Sequence, residues 1–524
     1  MKSPINGLHI IDEVMGSFKT TAAIEFINKN PKRKFIVVTP YLSETERYAA
    51  ACPRLRFQHP SEEKLGSKSR SLKELLSKRK NVVITHALLL EQKVDMKEYF
   101  KGYTIIIDEA LEGVIKKFDD LHPMDVNHLF YDCIELDENL TAHWIGCPNY
   151  NGKLSEIKDI CDSGRLKGFQ IKNGEHISQD IFRVFPSELF EAFEEVFVLT
   201  YLFKGSVFSA YLRSEGVYFD RWYIAEERGK HVLTSDPQPR KATDYRPLIH
   251  FVHGCNGRFE LPGADYYALS KNWYDNEEND KKQIKKILHS FFFDKLKDVP
   301  GKRMWTTFKG YKDTVSKGEI TSSFLECGAK ASNEYRECTK LAYTVNRFIT
   351  PNIKIYFSQF GVEFEENLWS LSQLLQWVWR SAIRDGNEIH LLIQSSRMRN
   401  MFIDWLEYCA RDINYLRIKN ADAIEPLKKS GFSFYREVAE KTFEKERKDF
   451  IKKHNFDSSK ITFVSRGGAE ICLQDMILAK RYDIADLPSL LLDEKAQIDP
   501  ETGLQYLVTG DPYVPQRVND AAVV

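Results

Sequence analysis

Over about the first 110 residues, short continuous apolar runs alternate with longer amphipathic stretches. Leu8–Val14 is the first run. Gly16 to Asn28 follows, where Ala22, Ala23, Ile24, Phe26 and Ile27 suit a helix. Further runs are Phe35–Thr39 (FIVVT), Asn81–Thr85 (NVVIT) and Tyr103–Ile107 (YTIII). Such β-branched runs suit strands buried on both faces of a parallel sheet. Strands alternating with helices imply an α/β domain with right-handed crossovers.

From Leu111 to Glu195 the pattern is mostly helical and irregular. Val196–Phe203 (VFVLTYLF) then reads as one more buried strand. The expected organisation is a first α/β domain over residues 1–204, with a mostly helical insertion at 112–195. A linker and β-rich segment over 205–300 includes a charged helix from Asp275 to Asp298. The α/β rhythm returns at Arg303–Phe308 and makes a second domain over 301–410. Residues 411–524 form a C-terminal accessory region with a charged helix at Val438–Lys453.

Composition changes this picture little. The 524 residues are 43% hydrophobic, enough for several independently packed cores. With 75 basic and 75 acidic side chains, the formal net charge is zero. That is not the balance of a DNA-coating protein, although a motor needs only a basic groove. Nine scattered cysteines without a CxxC pair argue against a zinc ribbon or a disulfide framework. His122, His128, His143 and His176 lack metal-ligand spacing. No apolar run approaches the ~20 residues of a membrane span. The N-terminal MKSPINGLHIIDEV has no signal-peptide pattern. The expected location is therefore cytoplasmic.

Three segments carry chemistry. Gly16-Ser17-Phe18-Lys19-Thr20-Thr21 lies between a strand and a helix. A phosphate-binding loop needs amides at a helix N-terminus, a lysine for the β- and γ-phosphates and a hydroxyl for Mg²⁺. Gly16, Ser17, Lys19, Thr20 and Thr21 meet these needs. Phe18 stands where glycine is usual. Ile105-Ile106-Ile107-Asp108-Glu109 is a buried strand ending in two acids. In phosphoryl-transfer motors the aspartate there helps hold Mg²⁺, with Thr20, and the glutamate activates water. In Gln373–Arg384, Gln376, Arg380 and Arg384 recur at helical spacing. They are expected on one stripe, with the arginines able to reach a γ-phosphate.

Together these segments resemble superfamily 2 helicases of the DEAD/DEAH-like type, over roughly residues 8–205 and 300–410. The resemblance implies two RecA-like domains with parallel sheets, and ATP and Mg²⁺ as cofactors. Gly16–Thr20 resembles motif I, and Asp108-Glu109-Ala110-Leu111 resembles motif II. Thr39-Pro40-Tyr41, Thr85-His86 and Trp305-Thr306-Thr307 resemble the segments that touch nucleic acid. Leu199-Thr200-Tyr201 sits where motif III lies. Gln376, Arg380 and Arg384 resemble motif VI, with one residue more than its usual spacing. Ala331–Arg336 resembles motif V, which implies Asn333 and Arg336 near the cleft. With Leu371–Arg384 and Ser395–Arg399, that segment is similar to helicases of bacteriophage and mobile-element replication modules. Such a resemblance implies a bacterial host cytoplasm.

The implied activity is an ATP hydrolase that unwinds or moves along nucleic acid, with single-stranded or forked DNA and replication proteins as partners and no membrane. A double-strand translocase that does not unwind, or a non-hydrolysing scaffold on the same fold, are the alternatives. The basic runs Lys32–Lys34 and Lys78–Lys80 and the aromatic stretch Tyr218–Tyr223 are expected to serve as solvated faces and core.

Overall fold

The computed structural model describes residues 7–63, 66–118, 121–173, 176–238, 243–252, 266–328, 334–410, 448–459, 461–463, 497–498 and 505–508. They divide into two compact units. One draws on Met1–Gln238 and Phe348–Ser372, the other on Pro239–Arg347 and Gln373–Val524.

In the first unit, β1 (Leu8–Asp12), β2 (Phe35–Thr39), β3 (Val82–Thr85) and β4 (Thr104–Asp108) come from the apolar runs. Beyond them an insertion contributes β5 (Ile115–Lys117), β6 (Ile134–Leu136), β7 (Ala142–Trp144), β8 (Leu166–Asn173) and β9 (His176–Val184). Then come β10 (Glu195–Thr200), β11 (Asp220–Glu227) and β12 (Lys230–Thr234). The main sheet has the order β12-β11-β1-β10-β4-β2-β3. Its neighbours pair parallel except β11 with β12. Parallel pairing brings the C-terminal ends of β1, β10, β4, β2 and β3 to one edge.

Burial on both faces explains why these runs are continuously apolar. Ile36, Val38, Ile105 and Ile107 enter one cluster, with Phe208 and Leu212 of the helix Val207–Ser214. Val37, Ile106 and Phe197 enter the opposite cluster, with Ala23 and Ile27 of α1 (Lys19–Lys29). Each fully buried side chain of this kind contributes about 1.5–3 kcal/mol. The helix Pro351–Ser358, far along the chain, adds Tyr356 and Phe357 to the first cluster.

Two expectations need correction. The insertion is not mostly helical. Its largest elements are β8 and β9, which pair antiparallel and extend to β5, beside the hairpin of β6 and β7. The apolar residues of β8 and β9 divide between two faces. Phe169, Phe182 and Val184 face the main core, while Leu166 and Ile181 face a small cluster with Leu129, Ile134 and Ile157. Residues 205–234 are not a linker either, because the helix Val207–Ser214, β11 and β12 complete the first unit.

The second sheet contains β13 (Ile249–Phe251), β14 (Lys302–Thr306), β15 (Cys338–Tyr343) and β16 (Ile389–Ile393) in the order β13-β16-β15-β14, all parallel. Trp305, Ala342 and Leu392 pack under Ile284, Leu288 and Phe291 of the helix Lys282–His289 and the turn after it. The expected helix from Asp275 to Asp298 is thus broken into shorter pieces. Of the expected helix Val438–Lys453, residues 448–454 are helical and the remainder lies outside the described residues. Ile461–Phe463, Gln497–Ile498 and Gln505–Val508 form a small antiparallel sheet. No helix among the described residues is long and apolar enough to cross a membrane.

Candidate active site

The loop between β1 and α1 turns sharply. Gly16 has φ 82°, a left-handed conformation that suits glycine, with open space where a Cβ would be. Phe18 is left-handed as well, at φ 64° and ψ 23°. The residue is 55% exposed, and its ring lies parallel to His231 of β12, with centroids 4.1 Å apart and planes 9° apart. Ala22 donates the first α-helical bond, to the Phe18 carbonyl at 2.9 Å. The amides just before it are the donors that a helix N-terminus offers to anions.

Lys19 bends back over this loop. Its Nζ donates to the carbonyls of Glu13 (2.5 Å) and Val14 (2.8 Å). Desolvation holds its pKa below the ordinary lysine value, against the opposing fields of Glu13, Asp12, Asp108 and Glu109. The ammonium thus lies among four carboxylates and is tied to two backbone carbonyls of its own loop. Ser17 Oγ is buried without a hydrogen-bond partner in the same loop. Thr21 is exposed on the first turn of α1.

The acids of β4 arrive from 88 residues away. Thr20 Oγ1 donates to Asp108 Oδ2 at 3.2 Å. Tyr48 OH, from the helix Leu42–Ala51, donates to the same oxygen at 2.9 Å. Burial, and then the neighbouring Glu109, push the Asp108 carboxyl up to about 6. Glu109 has φ 68°, and its amide donates to Leu199 O at 2.8 Å. Leu199 pairs with Asp108 in the sheet, so the Leu199–Tyr201 segment adjoins the acids. Asp12 Oδ2 accepts from Phe203 N (3.0 Å), fastening the end of β1 to the chain beyond β10.

A hydroxyl and a carboxylate oxygen this close suit Mg²⁺, which takes few protein ligands and keeps several waters. The orphaned Ser17 hydroxyl and the helix N-terminus suit phosphate oxygens. The residues present therefore fit a Mg²⁺-nucleotide.

The expected nucleic-acid contacts fare unequally. Thr39 is fully buried and its hydroxyl donates to Tyr41 O (2.9 Å). Thr306 is fully buried at the end of β14. Neither hydroxyl lies at the surface. Both positions end core strands, so the layers above and below enclose them. Thr85 Oγ1 caps the helix His86–Leu90 by accepting from Leu88 N (3.3 Å). His86 Nε2 lies 2.8 Å from the Asp108 carbonyl. Pro40 is partly exposed.

In the second unit the expected stripe of Gln376, Arg380 and Arg384 is broken. The helix Glu366–Val378 ends before Arg380. Ser381 terminates it. Its hydroxyl donates to Val378 O (2.7 Å), and its backbone is extended at φ −87° and ψ −170°. Arg380 is half-buried in the turn, whereas Arg384 is exposed in a following turn of 3₁₀-helix, Ala382–Asp385. Asn333 lies outside the described residues. Arg336 forms a two-pronged pair with Asp385. Arg397 is a buried structural residue. Its guanidinium donates to Asn346 Oδ1 (2.9 Å), Arg347 O (2.8 Å) and Tyr266 OH (3.0 Å).

A protein of Bacillus subtilis (strain 168), the SPbeta prophage-derived uncharacterized protein YonV, is 34% identical over 411 residues, 76% of this chain and 98% of that protein. The chain belongs to the YonV family. The family domain described as the YonV C-terminal Rossmann-like domain matches residues 243–406, which begins just before β13 and ends within the helix that follows β16. The prophage origin of that relative agrees with the resemblance to phage proteins. Among solved structures, one named XPD_APO superposes with a TM-score of 0.43 at 11% identity, over 78% of this chain and 96% of that one. The S. tokodaii Xpd4 structure gives 0.39 at 11% identity, over 76% and 94%.

Two residues of this YonV-family site escape sequence reading. Tyr48 is the second donor to Asp108, but a tyrosine in an amphipathic helix carries no mark of that role. His231 meets Phe18 across more than 200 residues, and no local pattern announces the pair.

Proposed function

We propose that this YonV-family protein hydrolyses ATP with Mg²⁺ and couples hydrolysis to movement along nucleic acid. One observation carries the reading. Lys19, Thr20, Asp108 and Glu109 converge at one sheet edge, with Thr20 and Asp108 3.2 Å apart. In this reading Lys19 leaves the loop carbonyls for the phosphates. Thr20 and Asp108 hold Mg²⁺, which supplies charge neutralisation and orientation of the phosphates. Glu109 orients the attacking water, and Arg380 supplies the positive charge of a finger residue. Pro40 follows β2 and Thr85 ends β3 on the same edge, and they are the first-unit candidates for the nucleic-acid path. Single-stranded or forked DNA is the proposed track.

A second reading has one observation in its favour. The lysine is engaged with its own loop beside a phenylalanine, as it would be in a scaffold that no longer turns over nucleotide. Mg²⁺-dependent ATP hydrolysis, measured with Lys19→Ala and Glu109→Gln as controls, separates the two. Turnover abolished by both substitutions supports the enzyme. Turnover no higher than in the two variants overturns it in favour of the scaffold.

A further inference from the structure

Phe18 is costly where it stands. A left-handed backbone costs an L-residue with a bulky side chain free energy that glycine does not incur. The residue is also 55% exposed, so burial returns little of it. Strain kept at a candidate site points to use.

Its partner is fixed independently. His231 lies on β12, which pairs with β11 through five consecutive residues, Lys230 to Thr234. On either side of this hairpin, Lys230 pairs with Glu25 of α1 (2.9 Å) and Glu227 with Lys29 (3.8 Å). The hairpin is thereby held along α1, and His231 backs one face of the Phe18 ring. The ring is next in sequence to Lys19, at the N-terminus that suits phosphates. A flat aromatic surface one residue from a phosphate-binding lysine matches one chemical class, a nucleoside polyphosphate, whose base stacks while its phosphates are held.

We propose that Phe18, backed by His231, is the stacking platform for the base of the bound nucleoside triphosphate. This rests on the reading of Gly16–Thr20 as a phosphate loop. In this site the β11–β12 hairpin belongs to nucleotide binding, and the position normally left to glycine gives affinity for the base. Stacking tolerates any base, since each has a π-face, and favours the larger purines.

The test compares Mg·ATP with Mg·tripolyphosphate, which has the phosphates and no base, by calorimetric titration of the full chain. The variants are Phe18→Ala, Phe18→Tyr, His231→Ala and Lys19→Ala. Phe18→Ala should weaken ATP by roughly 5- to 100-fold, the range that loss of one base stack implies. It should leave tripolyphosphate unchanged. Phe18→Tyr should keep ATP affinity, which controls for misfolding, and His231→Ala should give a smaller loss for ATP alone. Lys19→Ala should weaken both ligands. An unchanged ratio of the two affinities in Phe18→Ala overturns the platform and leaves the phosphate loop standing. So does tighter binding of both ligands, which would make Phe18 an obstruction. A wild-type chain that binds neither ligand overturns both readings.

Discussion

Thr20 and Asp108, 88 residues apart, meet at 3.2 Å where β1 gives way to α1 and where β4 ends. The sheet makes this meeting necessary. β10 is inserted between β1 and β4, and all three run parallel, so their C-terminal ends share one edge. Tyr48 OH completes the arrangement at 2.9 Å from the same carboxylate oxygen.

Asp108 makes the site sensitive to pH. Its folded carboxyl titrates at about 6, above the ordinary aspartate value of 3.8, because burial disfavours its charged form. The native state therefore holds the proton more tightly than the unfolded chain. Stability from the neutral form is complete below the ordinary value and is lost as pH rises through about 6. Asp108→Asn should accordingly stabilise the protein at pH 8, on the order of 1–3 kcal/mol, and not at pH 4. Urea denaturation at the two pH values checks this. On the proposed function Asp108 would hold Mg²⁺ in its charged form, so Mg²⁺-dependent nucleotide affinity should fall below about pH 6.

Tyr48→Phe removes a donor to the charged form of Asp108 and leaves the ring in place. The expected loss is about 1.5–3 kcal/mol at pH 8, the range for a hydrogen bond to a charged group, and less at pH 4. A loss equal at both pH values would assign Tyr48 to packing alone.

Arg397 separates a structural arginine from a functional one. Its bonds to Asn346, Arg347 and Tyr266 use the planar fork, which lysine cannot reproduce. Arg397→Lys should destabilise the protein by about 1–3 kcal/mol in thermal or urea melts.

Arg380 and Arg384 should part company in kinetics. Arg380 is half-buried in a turn built by Ser381, and Arg384 is exposed. On the proposed function, Arg380→Ala lowers kcat on the order of 10³-fold with little change in nucleotide affinity. Arg384→Ala changes it only a few-fold. Equal effects in steady-state assays would argue against Arg380 as the finger.

Much of the first sheet was readable because parallel strands buried on both faces leave unbroken apolar runs. Phe35–Thr39 and Thr104–Asp108 are such runs. The meeting of the lysine loop with the acids of β4 was readable because both lie where strands of one parallel sheet end. The hairpin of β8 and β9 was hidden by charged residues between its apolar positions. The end of the helix at Val378 was hidden because Trp377 and Trp379 continue an apolar pattern past it. The burial of Thr39 and Thr306 was not readable, because depth in the fold is not written locally.

The most direct test is the rate of Mg·ATP hydrolysis by the full chain with and without single-stranded DNA. The proposed function predicts turnover that DNA stimulates and that both Lys19→Ala and Glu109→Gln abolish. A rate no higher than that of these two variants, with DNA or RNA present, would contradict it.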